Sequence, residues 1–182
     1  SITQTTEDVP ASEGELAAGG DMHVLFDVPL RGFVEVLNNL DEQDEFFPRL
    51  EEAELVCAES TPLSYANVRH YLSFKFLFFG NDYEYRVHIF VENNEEDGSY
   101  RQWWVLDESL DGQIASVSGS WFLSTVTRGG ESYTYVRYVT RTVFAETVLG
   151  LKTAFNRFGV RDLSRMMEAL REEAAAQVTG AQ

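Results

Sequence analysis

Residues 147–176 read TVLGLKTAFNRFGVRDLSRMMEALREEAAA, and this stretch decides the fold. Placed at about 100° per residue, Val148, Phe155, Gly159, Leu163, Met166 and Leu170 fall on one face. Arg157, Arg161, Arg165 and Glu168 lie off that face or at its edges. The segment reads as one long amphipathic helix, with Gly150 and Gly159 as places where it can break. A helix with one apolar stripe must bury it against another layer.

The preceding sequence supplies that layer. Residues 83–92 alternate Tyr83, Tyr85, Val87, Ile89 and Val91 against Glu84, Arg86, His88, Phe90 and Glu92, the period-2 pattern of a half-buried strand. Segments 51–60, 65–79, 100–107, 114–126 and 132–144 read as further strands; 65–79 is apolar on both faces near its end. Turn signals separate them: Gly80-Asn81-Asp82, the polar run 93–99 with Asp97-Gly98, Asp111-Gly112, and Arg128-Gly129-Gly130. Strands at this spacing describe an antiparallel meander.

Upstream, residues 22–28 read as a strand. Residues 30–40 read as a short helix on the spacing of Val34, Leu37 and Leu40, with Asp27 able to cap its start and Pro29 tolerated in its first turn. The acidic run 41–45 opens a second short helix, ended by Phe46-Phe47-Pro48. Residues 1–20 carry four acids, no base and almost no large apolar residue. They read as a mobile acidic tail ending in Ala17-Ala18-Gly19-Gly20, with a single domain over 21–178. Deleting the tail is expected to leave stability almost unchanged.

Composition fits that organisation. The 182 residues suit one domain, and a chain of this size buries about 70% of its unfolded surface. Phe, Tyr and Trp number 13, 8 and 3, so a real core is available. Asp plus Glu number 30 against 14 Lys plus Arg, a net charge of −16. That field repels nucleic-acid phosphates and anionic lipid surfaces. No apolar run reaches the ~18 residues of a membrane-spanning helix. The chain starts at Ser1, not Met, which is read as removal of upstream residues. A soluble cytoplasmic protein is favoured, with secretion or a periplasmic location left open.

Motifs of catalysis are sparse. His23, His70 and His88 sit on three different expected strands without metal-ligand spacing, and read as partly exposed strand residues. His88 shares a face with Glu84 and Arg86. Ser116, Ser118, Ser120 and Ser124 share one strand face, expected to point to water, and no Gly-x-Ser-x-Gly elbow is present. Cys57, the one cysteine, cannot form an internal disulfide and is expected to be buried and inert. No phosphate loop or dinucleotide fingerprint occurs; neither a metal nor a cofactor is expected, and no catalytic residue is assigned. Gly159 is informative, because glycine inside a helix costs about 1 kcal/mol against alanine. On the apolar stripe it serves either close helix–sheet packing or room for a ligand.

The order is strand, two short helices, about six strands, long helix. With Phe33-Val34-Glu35-Val36-Leu37, Phe46-Phe47-Pro48-Arg49-Leu50, Gly119-Ser120-Trp121-Phe122-Leu123, Tyr135-Val136-Arg137-Tyr138 and Leu163–Arg171, the chain resembles the START-like helix-grip superfamily, of the bacterial polyketide cyclase/dehydrase and lipid-transport type. The segment 144–148 lacks the proline often seen there. The resemblance implies an α+β fold: a curved antiparallel sheet of six or seven strands gripping the C-terminal helix, with a cavity between. In such a fold Phe74, Tyr85, Trp103, Trp121, Tyr135 and Phe155 would converge on the cavity with Gly159. Arg137 or Arg141 would point inward to orient a carboxylate or phenol. The expected function is binding of a hydrophobic or amphipathic small molecule, lipid-like or polycyclic. The alternatives are a polyketide cyclase or aromatase, which needs an acid/base pair in the cavity, and an acidic partner-binding domain using residues 41–59.

Overall fold

The computed structural model describes residues 16–60, 62–76, 79–94, 96–146 and 151–180; for 75, 76, 79 and 151–158 the backbone alone is described. Seven strands form one sheet: β1 (Leu16–Phe26), β2 (Leu50–Glu59), β3 (Tyr65–Phe76), β4 (Phe79–Asn94), β5 (Ser99–Ser109), β6 (Ile114–Arg128) and β7 (Glu131–Phe144). Their order across the sheet is β1-β7-β6-β5-β4-β3-β2, with antiparallel neighbours throughout. The six strands from β2 to β7 are a meander, and β1 closes the far edge by pairing with the last of them. Helix α1 (Leu30–Asn38) and a 3-10 turn (Leu40–Glu45) follow β1, and the long helix α2 (Leu151–Gly180) ends the fold. This is the helix-grip architecture that the element order implies. Register shifts in β2, at Arg86/Val87 and at Ile114/Ser116 add twist and bend the sheet.

The alternation of β4 holds along its length. Tyr83, Tyr85, Val87, Ile89 and Val91 are buried, while Glu84, Arg86, His88 and Phe90 keep partial exposure on the other face. Met22, Phe33, Leu37, Trp121, Leu123, Met166 and Leu170 are almost wholly buried and centre the core between sheet and helices. Removing such side chains from water contributes about 25 cal/mol per Å². On α2, Met166, Leu170 and Ala174 face inward, and Arg161, Arg165 and Glu168 are exposed. The helix runs unbroken through Gly159; Gly150 lies outside the described residues. Helix α2 crosses α1 closely at Gly32, where a Cβ would collide with the Ala174 carbonyl and sit 2.9 Å from Val178 Cγ2.

Several local expectations change. Strand β1 starts at Leu16, so residues 16–20 pair with β7 from Leu16↔Phe144 to Gly20↔Thr140. Residues 1–15 lie outside the described residues. The glycines there permit contact: a Cβ at Gly19 would stand 2.9 Å from the Thr140 carbonyl oxygen, and one at Gly20 3.0 Å from Leu163 Cδ1 of α2. Backbone pairing and close approach need no large apolar side chains, which is why the composition of 16–20 reads as a tail. Gly80-Asn81-Asp82 is not a turn but the start of β4, paired with Lys75, Phe74 and Ser73. Pro29 is the N-cap of α1 and has no side-chain bond. Asp27 instead pairs with Arg171 of α2 at 3.0 Å.

Candidate functional site

Strand alternation sorts the sheet into two faces of opposite character. The face toward α2 carries no charged residue on β3 to β7: positions such as Val68, His70, Tyr85, Gln102, Trp104, Trp121, Tyr138 and Thr140 are apolar or neutral polar. The outer face holds the charges, including Arg69, Arg86, Arg101 and Arg137.

On the inner face a neutral polar and aromatic cluster spans five strands, β3 to β7. Tyr138 of β7 lies 4.4 Å from Trp121 of β6 and 5.9 Å from Trp104 of β5, centroid to centroid. Phe47, just past the 3-10 turn, closes on Trp121 and Tyr138 at 6.1 and 6.3 Å. Gly119 makes this possible, since a Cβ there would come within 2.6 Å of Trp104 Cε2 and of the Val139 carbonyl oxygen. Across β3 and β4, His70 and Tyr85 are direct register partners, with rings edge to face at 5.5 Å. His70 Nε2 donates to Gln43 Oε1 at 3.1 Å. That bond leaves Nδ1 as the lone-pair acceptor of a neutral ring.

Burial sets the protonation states. Desolvation pushes His70 down to about 4. Tyr138 is pushed up to about 12, again by desolvation, against a hydrogen bond with Thr140. Tyr85 is raised strongly by burial and by its neighbour Tyr138. The cluster is therefore uncharged near neutral pH. Trp121 Nε1 and Gln102 Oε1 within it have no hydrogen-bond partner among the described residues. They sit on cross-strand partner residues. The Gln102 amide nitrogen is used, donating to the Leu37 carbonyl at 2.9 Å and to the Tyr100 hydroxyl at 3.1 Å.

The inner face is not fully covered. His70, Leu72, Phe74, Trp104, Leu106 and Thr140 face inward yet remain half-buried. A Cβ at Gly159 of α2 would meet no heavy atom of the described residues within 4 Å. Near Gly159, Arg49 ties the start of β2 to α2 through Asp162, with Nε and Nη2 donating to Oδ2 at 3.1 and 3.0 Å. Arg49 holds a left-handed φ of 73°, and its carbonyl accepts from the Ser73 amide at 2.8 Å.

Of the residues expected to line a cavity, Tyr85 and Trp121 are inward: Trp121 packs on Tyr138 at 4.4 Å and Tyr85 on His70 at 5.5 Å. Phe74 is inward but packs edge-on to Tyr83 and Phe144. The Phe155 side chain lies outside the described residues. Trp103, Tyr135 and Arg137 are corrected: all three stand on the outer face. Tyr100, Gln102 and Trp104 take the inward phase of β5, so Trp103 points out and stacks on Phe90 at 5.4 Å. Thr134, Val136 and Tyr138 take it on β7, and Arg137 grips Asp21 at 2.6 and 3.0 Å. Arg141 shares its phase. Cys57 is also corrected. It is exposed, because the bulge between Leu55 and Cys57 on edge strand β2 turns it to the outer face.

The other histidines are outer-face residues. His23 Nδ1 meets the Tyr135 hydroxyl at 2.6 Å and its Nε2 lies 3.2 Å from Asp21. His88 sits likewise between Tyr65 at 2.6 Å and Asp107 at 3.1 Å. No group of three potential metal ligands occurs among the described residues. In the acidic stretch, Asp41 Oδ1 accepts from the Leu55 amide at 2.8 Å and Glu54 pairs with Arg69 at 3.0 Å. A dimple between α1, the 3-10 turn and α2, lined by Glu42, Glu45, Phe46 and Glu173 among others, has room for about one water.

No family model and no curated protein matches the chain by sequence. Solved structures do match in shape. A STAR-related lipid transfer protein from Xanthomonas axonopodis is 15% identical, with 94% of this chain and 98% of that one covered and a TM-score of 0.65. A START superfamily protein from Mycobacterium smegmatis is 10% identical over 91% and 99%, at 0.59. The Zhui aromatase/cyclase from Streptomyces sp. R1128 is 16% identical over 90% and 96%, at 0.55. The chain therefore has a START-like helix-grip fold. At these identities the likeness concerns the fold alone. No helix among the described residues is long and apolar enough to cross a membrane.

Proposed function

We propose that the protein binds an apolar small molecule between the inner face of the sheet and α2. The observation that carries this is the uncharged inner face of the sheet, which stays half-buried at His70, Leu72, Phe74, Trp104, Leu106 and Thr140; that a Cβ at Gly159 of α2 meets no heavy atom of the described residues within 4 Å is compatible with it. An apolar wall with a few neutral polar groups is what a small-molecule pocket needs. The lipid-transfer and aromatase/cyclase names of proteins with this fold support the reading. A cyclase would need a base effective near neutral pH, and His70 at about 4 is a weak one. Binding without chemistry is the better account.

The test is uptake of the neutral fluorescent probe N-phenyl-1-naphthylamine by wild type and by Gly159→Leu. Wild type should bind it with micromolar affinity. The variant should keep its melting temperature within a few degrees and lose at least about tenfold in affinity, as the new side chain fills the space. A variant that loses stability and binding together would show packed helix and sheet instead. Wild type that takes up no probe would end the proposal.

A further inference from the structure

His70 offers an acceptor at Nδ1, because its Nε2 hydrogen is committed to Gln43. Tyr85, its cross-strand partner, carries a hydroxyl with no hydrogen bond to any described residue. On the same face, Trp121 Nε1 is a buried donor and Gln102 Oε1 a buried acceptor, and neither has a partner among the described residues. Each pair thus offers one donor and one acceptor. A carbonyl or ether can only accept, which would leave the acceptors unmet. A hydroxyl both donates and accepts.

Charge points the same way. Inward positions of β3 to β7 hold no lysine or arginine. Arg137, expected to orient a carboxylate, is on the outer face bonded to Asp21, and Arg49 is engaged by Asp162. A carboxylate entering here would lose its hydration without gaining a counter-ion from the sheet. We infer that the ligand is a neutral molecule bearing an alcohol or phenol hydroxyl, held between His70 Nδ1 and the Tyr85 hydroxyl, and that anionic lipids are discriminated against. This rests on the ligand-binding reading above.

Displacement of bound N-phenyl-1-naphthylamine tests it, with 4-octylphenol, 4-octylanisole and 4-octylbenzoate as matched competitors at pH 7.5. Dodecanol and dodecyl methyl ether form a second pair that separates an aliphatic from a phenolic source. The hydroxyl compound should compete about tenfold better than its ether in at least one pair, and 4-octylphenol better than 4-octylbenzoate by more. Tyr85→Phe and, separately, His70→Phe should each shrink the advantage of hydroxyl over ether to about threefold or less. Tyr85→Phe removes one oxygen only, so it guards against a misfolded second variant. Equal competition by both hydroxyls and their ethers, or benzoate ahead of phenol, would overturn the inference while leaving apolar binding intact. Failure of the naphthylamine itself to bind would instead overturn the reading beneath it.

Discussion

At the scale of single residues, His70 is the group whose surroundings say most. Its ring faces the interior, donates to Gln43 and abuts Tyr85. Burial lowers its pKa from 6.5 to about 4. The folded value lies below the unfolded one, so the unfolded chain takes up the proton first. The stability tied to a neutral His70 is whole above about pH 6.5 and declines as pH falls toward 4. The loss should be about 1–3 kcal/mol. Thermal melts of wild type and His70→Gln at half-unit steps from pH 7.5 to 5 would show it, since most carboxylates stay ionised over that window. The wild-type melting temperature should fall more steeply than that of the variant. Parallel curves would mean that His70 titrates normally and is open to solvent.

At the scale of elements, legibility follows the phase of each strand. On β4 one face is apolar and the other polar, so Tyr85 is placed correctly from the sequence. On β6 the serines mark the outer face, and Trp121 falls inside. The two neighbouring strands carry aromatic residues in both phases: Trp103 and Trp104 on β5, Tyr135 and Tyr138 on β7. Nothing in residue type distinguishes them, and the choice is made by packing, with Trp104 laid on Gly119 and Tyr138 on Trp121. His70 and Gln43 are missed for a related reason. The far end of β3 is apolar on both faces, and Gln43 reads as one more polar residue in an acidic run. The order of elements is legible because it depends only on period and turn signals.

The first strand shows where composition misleads about an element, and it yields a test. Residues 16–20 pair with 140–144 of β7, and Gly20 receives Leu163 of α2. A chain lacking residues 1–20 should be less stable than one lacking residues 1–15 by about 1–3 kcal/mol, a drop of several degrees in melting temperature. It should also be more prone to aggregate, because half of the β7 edge is left unpaired. Identical melting curves for the two truncations would mean that the first half of β1 contributes no stability in solution.

At the scale of the whole molecule, the distribution of charge decides which partners can approach. The net charge is −16, and several of the arginines are matched locally. Arg137 is held by Asp21, Arg69 by Glu54 and Glu84, Arg86 by Asp107 and Glu108, and Arg171 by Asp27. Arg101 lies over the Trp103 ring at 4.8 Å. The outer face therefore joins aromatic rings to arginines, a combination that in a basic protein would suit stacked bases. Here Arg69, Arg86 and Arg137 of that face are already beside carboxylates, and the surrounding field is negative. The protein should show no shift of single- or double-stranded DNA or RNA at ~0.15 M salt with protein at tens of micromolar. Reversing the field locally should change that little, so Asp21→Asn, which frees Arg137, should still give no shift. Micromolar binding by wild type that weakens steeply with salt would contradict this and would make the Phe90–Trp103 stack, not the inner face, the surface to study.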